Sequence, residues 1–347
     1  MKIINPAIEI MHTGLEKDFM TPEQFIEKVG RTCYKSEDKI TEESAPKFVR
    51  GLVKRGHEAM IEHWSLIFKT DETGYETVMG DLHMMLAIAD IGSDKRLRPF
   101  IRSTIHEVED EVRYIISGNM RAWRDFLRVY TDDLIHIPEY LLATVRDYPN
   151  FFPEYQHLLP KRNPKLIKTV LTPITVNDLV GEFEHSVHHD VTVKFICDRG
   201  VSHEIVRHRT ASFAQESTRY CNYGLGKFGS EITLVMPAKW IDIPEEKLVN
   251  DPQYATWYSA GKNAETDYDL MLVNGATPQE ARAVLPNSLK TEVIMTANLD
   301  CWDHFFKLRC APDAHPDIQV VAKMVRDEFW NLFPERYIVF PTDCKEG

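Results

Sequence analysis

Between Asp198 and Tyr220 the chain reads DRGVSHEIVRHRTASFAQESTRY, setting four arginines and two histidines among hydroxyl, amide and carboxylate side chains. Unpaired polar and charged groups are costly to bury. The interleaved Val201, Ile205, Val206, Phe213 and Tyr220 nevertheless argue against a fully solvated face. A half-buried anion pocket, its arginines paired by ligand, satisfies both. Arg207 and Arg209 stand two positions apart, about 200° around a helix, so they would serve two different anions with His208 between them. The TASFAQESTRY segment offers hydroxyls and an amide of the kind that hold phosphate and a base edge.

A second polar stripe lies far along the chain. In ANLDCWDHFFKLR, Asn298, Trp302, Phe305 and Arg309 fall at i, i+4, i+7 and i+11, one face of a helix. A core helix explains the two aromatics; Asn298 and Arg309 on the same stripe require a polar pocket beside it. Other groupings carry less. His57 and His63 are six apart, unlike the four-apart pair of a zinc-protease helix, and read as capping or packing residues. His185, His188 and His189 in EHSVHHD suggest a metal only loosely, with no fourth ligand in view. Gly224–Gly229, GLGKFG, matches the dinucleotide fingerprint in letters. It precedes the strand-like EITLVM rather than a helix, so it reads as a glycine-rich loop.

The positioning elements read as α+β. Short strands are expected at Lys2–Ile4 and Ile8–Met11, then a helix capped by Thr21 with Pro22 at its first position. A second helix is expected over Glu43–Arg55, and a strand through Trp64, Leu66 and Phe68. Residues 71–185 read as a mostly helical insertion, with Ile105, Val108, Val112 and Ile115 on one helical face. Val191, Val193, Phe195 and Cys197 alternate as a strand. Ser202 is expected to cap a short helix running through RHR. Further on, Ala260, Ala264, Tyr268 and Met271 form a helix face ending at Gly275. Thr277-Pro278-Gln279-Glu280 is a capping box, with Arg282 in the following turn.

Composition bounds the function classes. The 347 residues are 43% hydrophobic and 27% charged, enough to bury a large core in one elaborated domain or two. The formal charge of −12 argues against a broad nucleic-acid-binding surface, so any anion site must be local. Six scattered cysteines (33, 197, 221, 301, 310 and 344) fit reduced thiols. With no signal-like N-terminus and no membrane-length apolar run, a cytoplasmic protein is expected.

RHR followed by seven residues and Ser217 resembles the signature of the flavin-dependent thymidylate synthases, the ThyX family. RTCY at 31–34, GHEAMIEH at 56–63, GATPQEARAVLP at 275–286 and TANLDCWDHFFKLR agree in order. The resemblance covers 1–70 and about 190–330. It implies a ThyX-type fold, a central mixed sheet flanked by helices, formed by 1–70 and 186–347 with 71–185 inserted. It also implies a methyltransferase that makes dTMP from dUMP, with methylenetetrahydrofolate and NADPH as co-substrates and bound FAD. A homotetramer with shared active sites is implied as well, without nucleic-acid or membrane partners.

By the same resemblance His57, Arg207, His208, Arg209, Gln215, Asn298 and His304 would contact FAD. Glu204, Arg207, Gln215, Glu216, Ser217, Thr218, Arg219, Arg282 and Arg309 would line the dUMP site. Arg309 would be catalytic, favouring ionisation of the uracil at N3. Glu204, Ala214 and Asp300 depart from residues common in the family. GNMRAWRDF (118–126) echoes ANLDCWDHF (297–305): chance similarity of two amphipathic helices is the favoured reading, and the other is that Arg121 supplies the cation absent at Asp300. Two other classes compete: a nucleic-acid-binding module using the RHR arginines, and a transferase with Cys221 or Cys197 as nucleophile.

Overall fold

The computed structural model describes residues 1–16, 20–91, 101–132, 136–161, 163, 167, 169–217 and 231–337. The chain begins with β1 (Lys2–Ile4), β2 (Ala7–His12), α1 (Pro22–Tyr34) and α2 (Ser44–Lys54). A 3-10 turn over Glu58–His63 leads to β3 (Ser65–Thr70), α3 (Glu72–Ile91), β4 (Ile101–Val108), β5 (Glu111–Asn119) and α4 (Met120–Asp132). Next come α5 (Glu139–Asp147), β6 (Thr172–Ile174), α6 (Gly181–His188), β7 (Asp190–Asp198), α7 (Arg199–Ile205) and β8 (Ser212–Gln215). The remainder is β9 (Thr233–Val235), α8 (Glu245–Leu248), α9 (Pro252–Val273), α10 (Pro278–Ala281), β10 (Lys290–Asn298), α11 (Leu299–Arg309), α12 (Pro316–Leu332) and α13 (Pro334–Tyr337).

Helix starts follow the local chemistry. The Thr21 hydroxyl accepts from Gln24 N, and the Gln24 side chain accepts from Thr21 N, closing the expected capping box. Thr277 and Glu280 close another at α10. At α7 the cap is Asp198, whose carboxylate accepts from Val201 N at 2.7 Å. Ser202 is not the cap: its hydroxyl lies inside the helix and donates to the Arg199 carbonyl. The helix therefore ends at Ile205, before RHR rather than through it.

The described strands form two four-stranded sheets and one parallel pair, β1 with β9. One sheet runs β2-β7-β10-β8 and the other β4-β5-β3-β6, each antiparallel throughout. The expected central mixed sheet is thus replaced by two antiparallel ones. The helical reading of 105–115 is also overturned. The chain reverses at Glu109, which adopts a left-handed φ of 55°, and β4 and β5 pair as a hairpin. Ile105 and Val112 face solvent while Ile115 is fully buried, so the apparent helical stripe is no face at all. Pairing of β3 with β5 and β6 carries this sheet across the boundary drawn at residue 70.

Each sheet buries an aromatic core. Trp302, Phe305 and Phe306 of α11 pack on Phe195 of β7 and Phe329 of α12. Trp123, Phe126 and Tyr130 of α4 pack with Phe68 of β3 and Tyr140 of α5. Burial of each such ring contributes about 1.5–3 kcal/mol. Among the described residues no helix is long and apolar enough to cross a membrane.

The two sheets meet through polar contacts. Arg102 of β4 donates twice to Asp190, from Nη1 to Oδ1 and from Nη2 to Oδ2, both at 2.7 Å, and the Ser65 hydroxyl donates to the same carboxylate. Burial alone would raise the Asp190 carboxyl; the Arg102 guanidinium outweighs it and holds the group low. His188 lies 2.9 Å from Thr104 Oγ1 at Nε2 and 2.7 Å from Ser117 Oγ at Nδ1. His63 Nδ1 lies 2.7 Å from Thr296 Oγ1, while its buried Nε2 has no hydrogen-bond partner among the described residues. A cavity of about 50 Å³ beside it is lined by His12, Ser65, His188, Asp190, Thr192 and Thr296, among others. His189 Nε2 is bonded to the Thr13 carbonyl, and His185 Nδ1 to His189 Nδ1.

Burial pushes His63 and His189 down to about 4 and His188 to about 3, from an ordinary 6.5. These rings are neutral in the folded chain and take up protons more readily once unfolded. Their contribution is therefore complete above pH 6.5 and lost as pH falls towards 4. The thermal midpoint should drop progressively from pH 6.5 to 4.5 in circular-dichroism melts, and His188→Gln should flatten that slope.

Candidate functional site

The β7–β10 ribbon sets the site. Its register pairs Asp198 with Lys290 and Asp190 with Asn298, so α7 and α11 leave from opposite ends. Nine strand residues span about 30 Å at roughly 3.3 Å each. Helices of seven and eleven residues cover about 10 and 16 Å. Running towards each other, they meet where Glu204 of α7 faces Arg309 of α11.

At that meeting point Arg309 Nη1 donates to Glu204 Oε2 at 2.9 Å, and Nη2 donates to the Glu204 carbonyl at 3.1 Å. Arg309 Nε donates to His208 Nε2 at 3.0 Å. That bond requires an unprotonated Nε2, so His208 is neutral with its proton on Nδ1. Burial first, then the Arg309 and His304 charges, push His208 down to about 4. Its ring also packs against Phe305, centroids 5.0 Å apart, with the exposed His304 6.0 Å away. Arg207 and Arg209 flank it on the chain past the helix end. Both are exposed and make no ion pair with described residues. The helix assumed for RHR is absent: the triplet lies in a turn past the end of α7, around a buried histidine.

On the other side of α7, Gln215 of β8 donates from Nε2 to Ser202 Oγ at 3.0 Å. Glu216 is buried and holds Lys290 at 2.9 Å, and Lys290 also reaches Glu292. Ser217 N donates to the Cys33 carbonyl, tying the signature to α1. Thr218, Arg219, Cys221 and the GLGKFG stretch lie outside the described residues.

Other expected site residues stand apart from this cluster. Asn298 is the last residue of β10 and the cap of α11, not part of its helical face. Its Oδ1 accepts from Cys301 N at 3.1 Å and its Nδ2 donates to the Val187 carbonyl. It stands a full helix length, roughly 16 Å, from Arg309. His57 is exposed, with Nδ1 2.8 Å from the Tyr34 hydroxyl. Arg282 is exposed at the end of α10. Asp300 is met by Arg336 Nη2 at 3.2 Å. Arg121 instead pairs with Glu62, which accepts from Ser212 at 3.1 Å, so it reaches the signature strand and not Asp300. Cys197 is almost fully buried and burial pushes its thiol well above the usual range, which removes it as a nucleophile. Missed in the sequence was β10, KTEVIMTAN, whose β-branched Thr291, Val293, Ile294 and Thr296 carry the strand signal ahead of the helix.

The half-buried Glu204–Arg309 pair should contribute no more than about 1 kcal/mol to stability. Arg309→Ala should therefore fold, and loss of that neighbouring charge should move the His208 titration upward from about 4, as read by NMR.

Residues 161–335 match the family model described as thymidylate synthase complementing protein, Thy1. A flavin-dependent thymidylate synthase of Pyrococcus furiosus is 33% identical over 154 residues, 43% of this chain and 59% of that relative. Those of Geobacter sulfurreducens and Mycobacterium avium are 32% and 28% identical over 124 and 173 residues, covering 36% and 47% of this chain and 49% and 66% of theirs. The match thus spans about half to two thirds of these relatives. A solved UMP/dUMP methylase, PolB of Streptomyces cacaoi bound to 5-Br dUMP, is 25% identical over 42% of this chain and 68% of its own, with a TM-score of 0.34.

Proposed function

From the premise that this chain belongs to the thymidylate synthase complementing protein family, we propose that it is a flavin-dependent thymidylate synthase. It would convert dUMP to dTMP with methylenetetrahydrofolate as carbon donor and NADPH as reductant, through FAD. The observation that carries this reading is the Glu204–His208–Arg309 cluster, with Arg207 and Arg209 exposed on either side of it.

The residues fit an anionic cofactor. Two exposed guanidinium groups without a counter-ion among the described residues suit a dianionic diphosphate. Arg207, His208, Arg209 and Gln215 would hold FAD, with His304 beside His208 and His57 reaching it from a separate part of the surface; bound FAD supplies hydride. Asn298, engaged by its own helix cap, would orient α11 rather than turn towards ligand.

Arg309 is held ready by Glu204 and by a neutral His208. A guanidinium beside the uracil N3 would stabilise the anionic base and raise its reactivity. Glu204 keeps this cation in place before substrate arrives and would share it afterwards. Glu216, Ser217, Thr218, Arg219 and Arg282 would complete the nucleotide side. A homotetramer is the assembly this reading carries.

Purified protein should be yellow or take up FAD, bleach with NADPH, and form dTMP from dUMP and methylenetetrahydrofolate. Arg309→Ala should lower kcat/KM at least 100-fold while leaving the flavin spectrum in place. A colourless protein that refuses FAD would sink the proposal.

A further inference from the structure

The two four-stranded sheets are the same construction made twice. Read in space and in chain order, β4-β5-β3 corresponds strand for strand to β8-β10-β7, every neighbour antiparallel, and each set is extended by one further antiparallel strand, β6 from later in the chain and β2 from earlier. In each, an aspartate at or just past the end of the first inner strand caps the next helix, six residues past Ser65 in one copy and eight past Asp190 in the other: Asp71 accepts from Gly74 N at 2.8 Å, Asp198 from Val201 N at 2.7 Å. In each, the second inner strand ends at a capping asparagine: Asn119 accepts from Ala122 N, Asn298 from Cys301 N. The registers match, with Ser65 opposite Asn119 and Asp190 opposite Asn298. Four and seven residues beyond each asparagine stand fully buried Trp123 and Phe126, or Trp302 and Phe305. A chance echo of two amphipathic helices does not reproduce strand order, register and both caps.

The contacts between the copies are reciprocal, as in an isologous dimer. His63 of the first copy meets Thr296 of the second at 2.7 Å, and His188 of the second meets Ser117 of the first at 2.7 Å. Thr296 and Ser117 each stand two residues before the capping asparagine. Ser65 and Asp190, equivalent by register, bond to each other.

The copies differ where the chemistry is. Arg309, eleven residues past its asparagine, corresponds to Tyr130; His208, ten past its aspartate, corresponds to Asp81. Tyr130 is buried, and burial and then the neighbouring Asp81 push its phenol up; Tyr140 donates to Asp81 at 2.7 Å. The first copy thus fills its pocket with aromatic rings and a carboxylate, which repel an anion. Yet it reaches the second copy's signature strand, because Glu62 accepts from Ser212 and is held by Arg121.

We propose that the first copy, residues 62–132, is a built-in partner: at this one face of the copy at 188–309 it stands where a neighbouring subunit of the proposed homotetramer would, and it steadies that copy's anion site. Glu62 and Arg121 are the positioning residues of this support. The nucleotide part rests on the thymidylate synthase reading; the pairing does not.

Two measurements decide it. Ser65→Cys combined with Asp190→Cys, oxidised and run on a non-reducing gel, should give a disulfide within one chain at monomer mobility, mapped by peptide mass. A link between chains would overturn the pairing. Calorimetric titration of the unmodified holoenzyme with dUMP should give one site per chain; two sites per chain would overturn the degenerate role of the first copy. Absence of dUMP binding would sink the thymidylate synthase reading instead, and the disulfide would still decide the pairing. Glu62→Ala with Arg121→Ala should raise KM for dUMP at least fivefold with kcat changed less than twofold, and Glu62→Gln should recover part of the loss. Unchanged KM would remove the positioning role.

Discussion

The antiparallel register of β7 against β10 is the constraint on which the site depends. It fixes Asp198 beside Lys290 and Asn298 beside Asp190, and so decides where α7 and α11 begin. A slip of one residue would turn every side chain of β10 to the opposite face. Val293, Met295 and Ala297 would leave the core they share with Trp302 and Phe305. The residues that β10 turns to this core thereby specify, at a distance, which carboxylate Arg309 meets.

Charge placement within that frame follows from burial. His208 can accept from Arg309 only while neutral, and the protein keeps it neutral by enclosing it beside Phe305 and next to a fixed cation. Glu204 supplies the balancing charge without enclosing the guanidinium fully. The cluster is therefore stable and still open to an incoming anion. Cys197 shows the opposite case, a reactive group made inert by depth alone.

Much of this was legible in the residues. The capping boxes at Thr21 and Thr277 and the strand at 191–197 all rest on local rules, and the structure keeps them. Two readings failed because local periodicity cannot see a strand partner, and a third because a cap was placed one turn late. Ile105 to Ile115 carried helical spacing, but Glu109 turned the chain and β3 was waiting to pair. Asn298 fitted a helical stripe, yet β10 was needed against β7 and took it as a cap. Ser202 looked like a cap because Asp198 was assigned to a turn. The pairing of Glu204 with Arg309, 105 residues apart in sequence, depends on strand length and helix length together, which no local window contains.

The facing histidines are not equally held. His188 has a hydroxyl at each ring nitrogen, from Ser117 and Thr104. The position equivalent to Thr104 by register is Ala214, a methyl group that cannot hydrogen-bond, and His63 keeps an unmet nitrogen beside the cavity. The pseudo-symmetry of the junction is therefore broken in chemistry on the side that carries the signature strand, where a methyl group stands in the place of a hydroxyl.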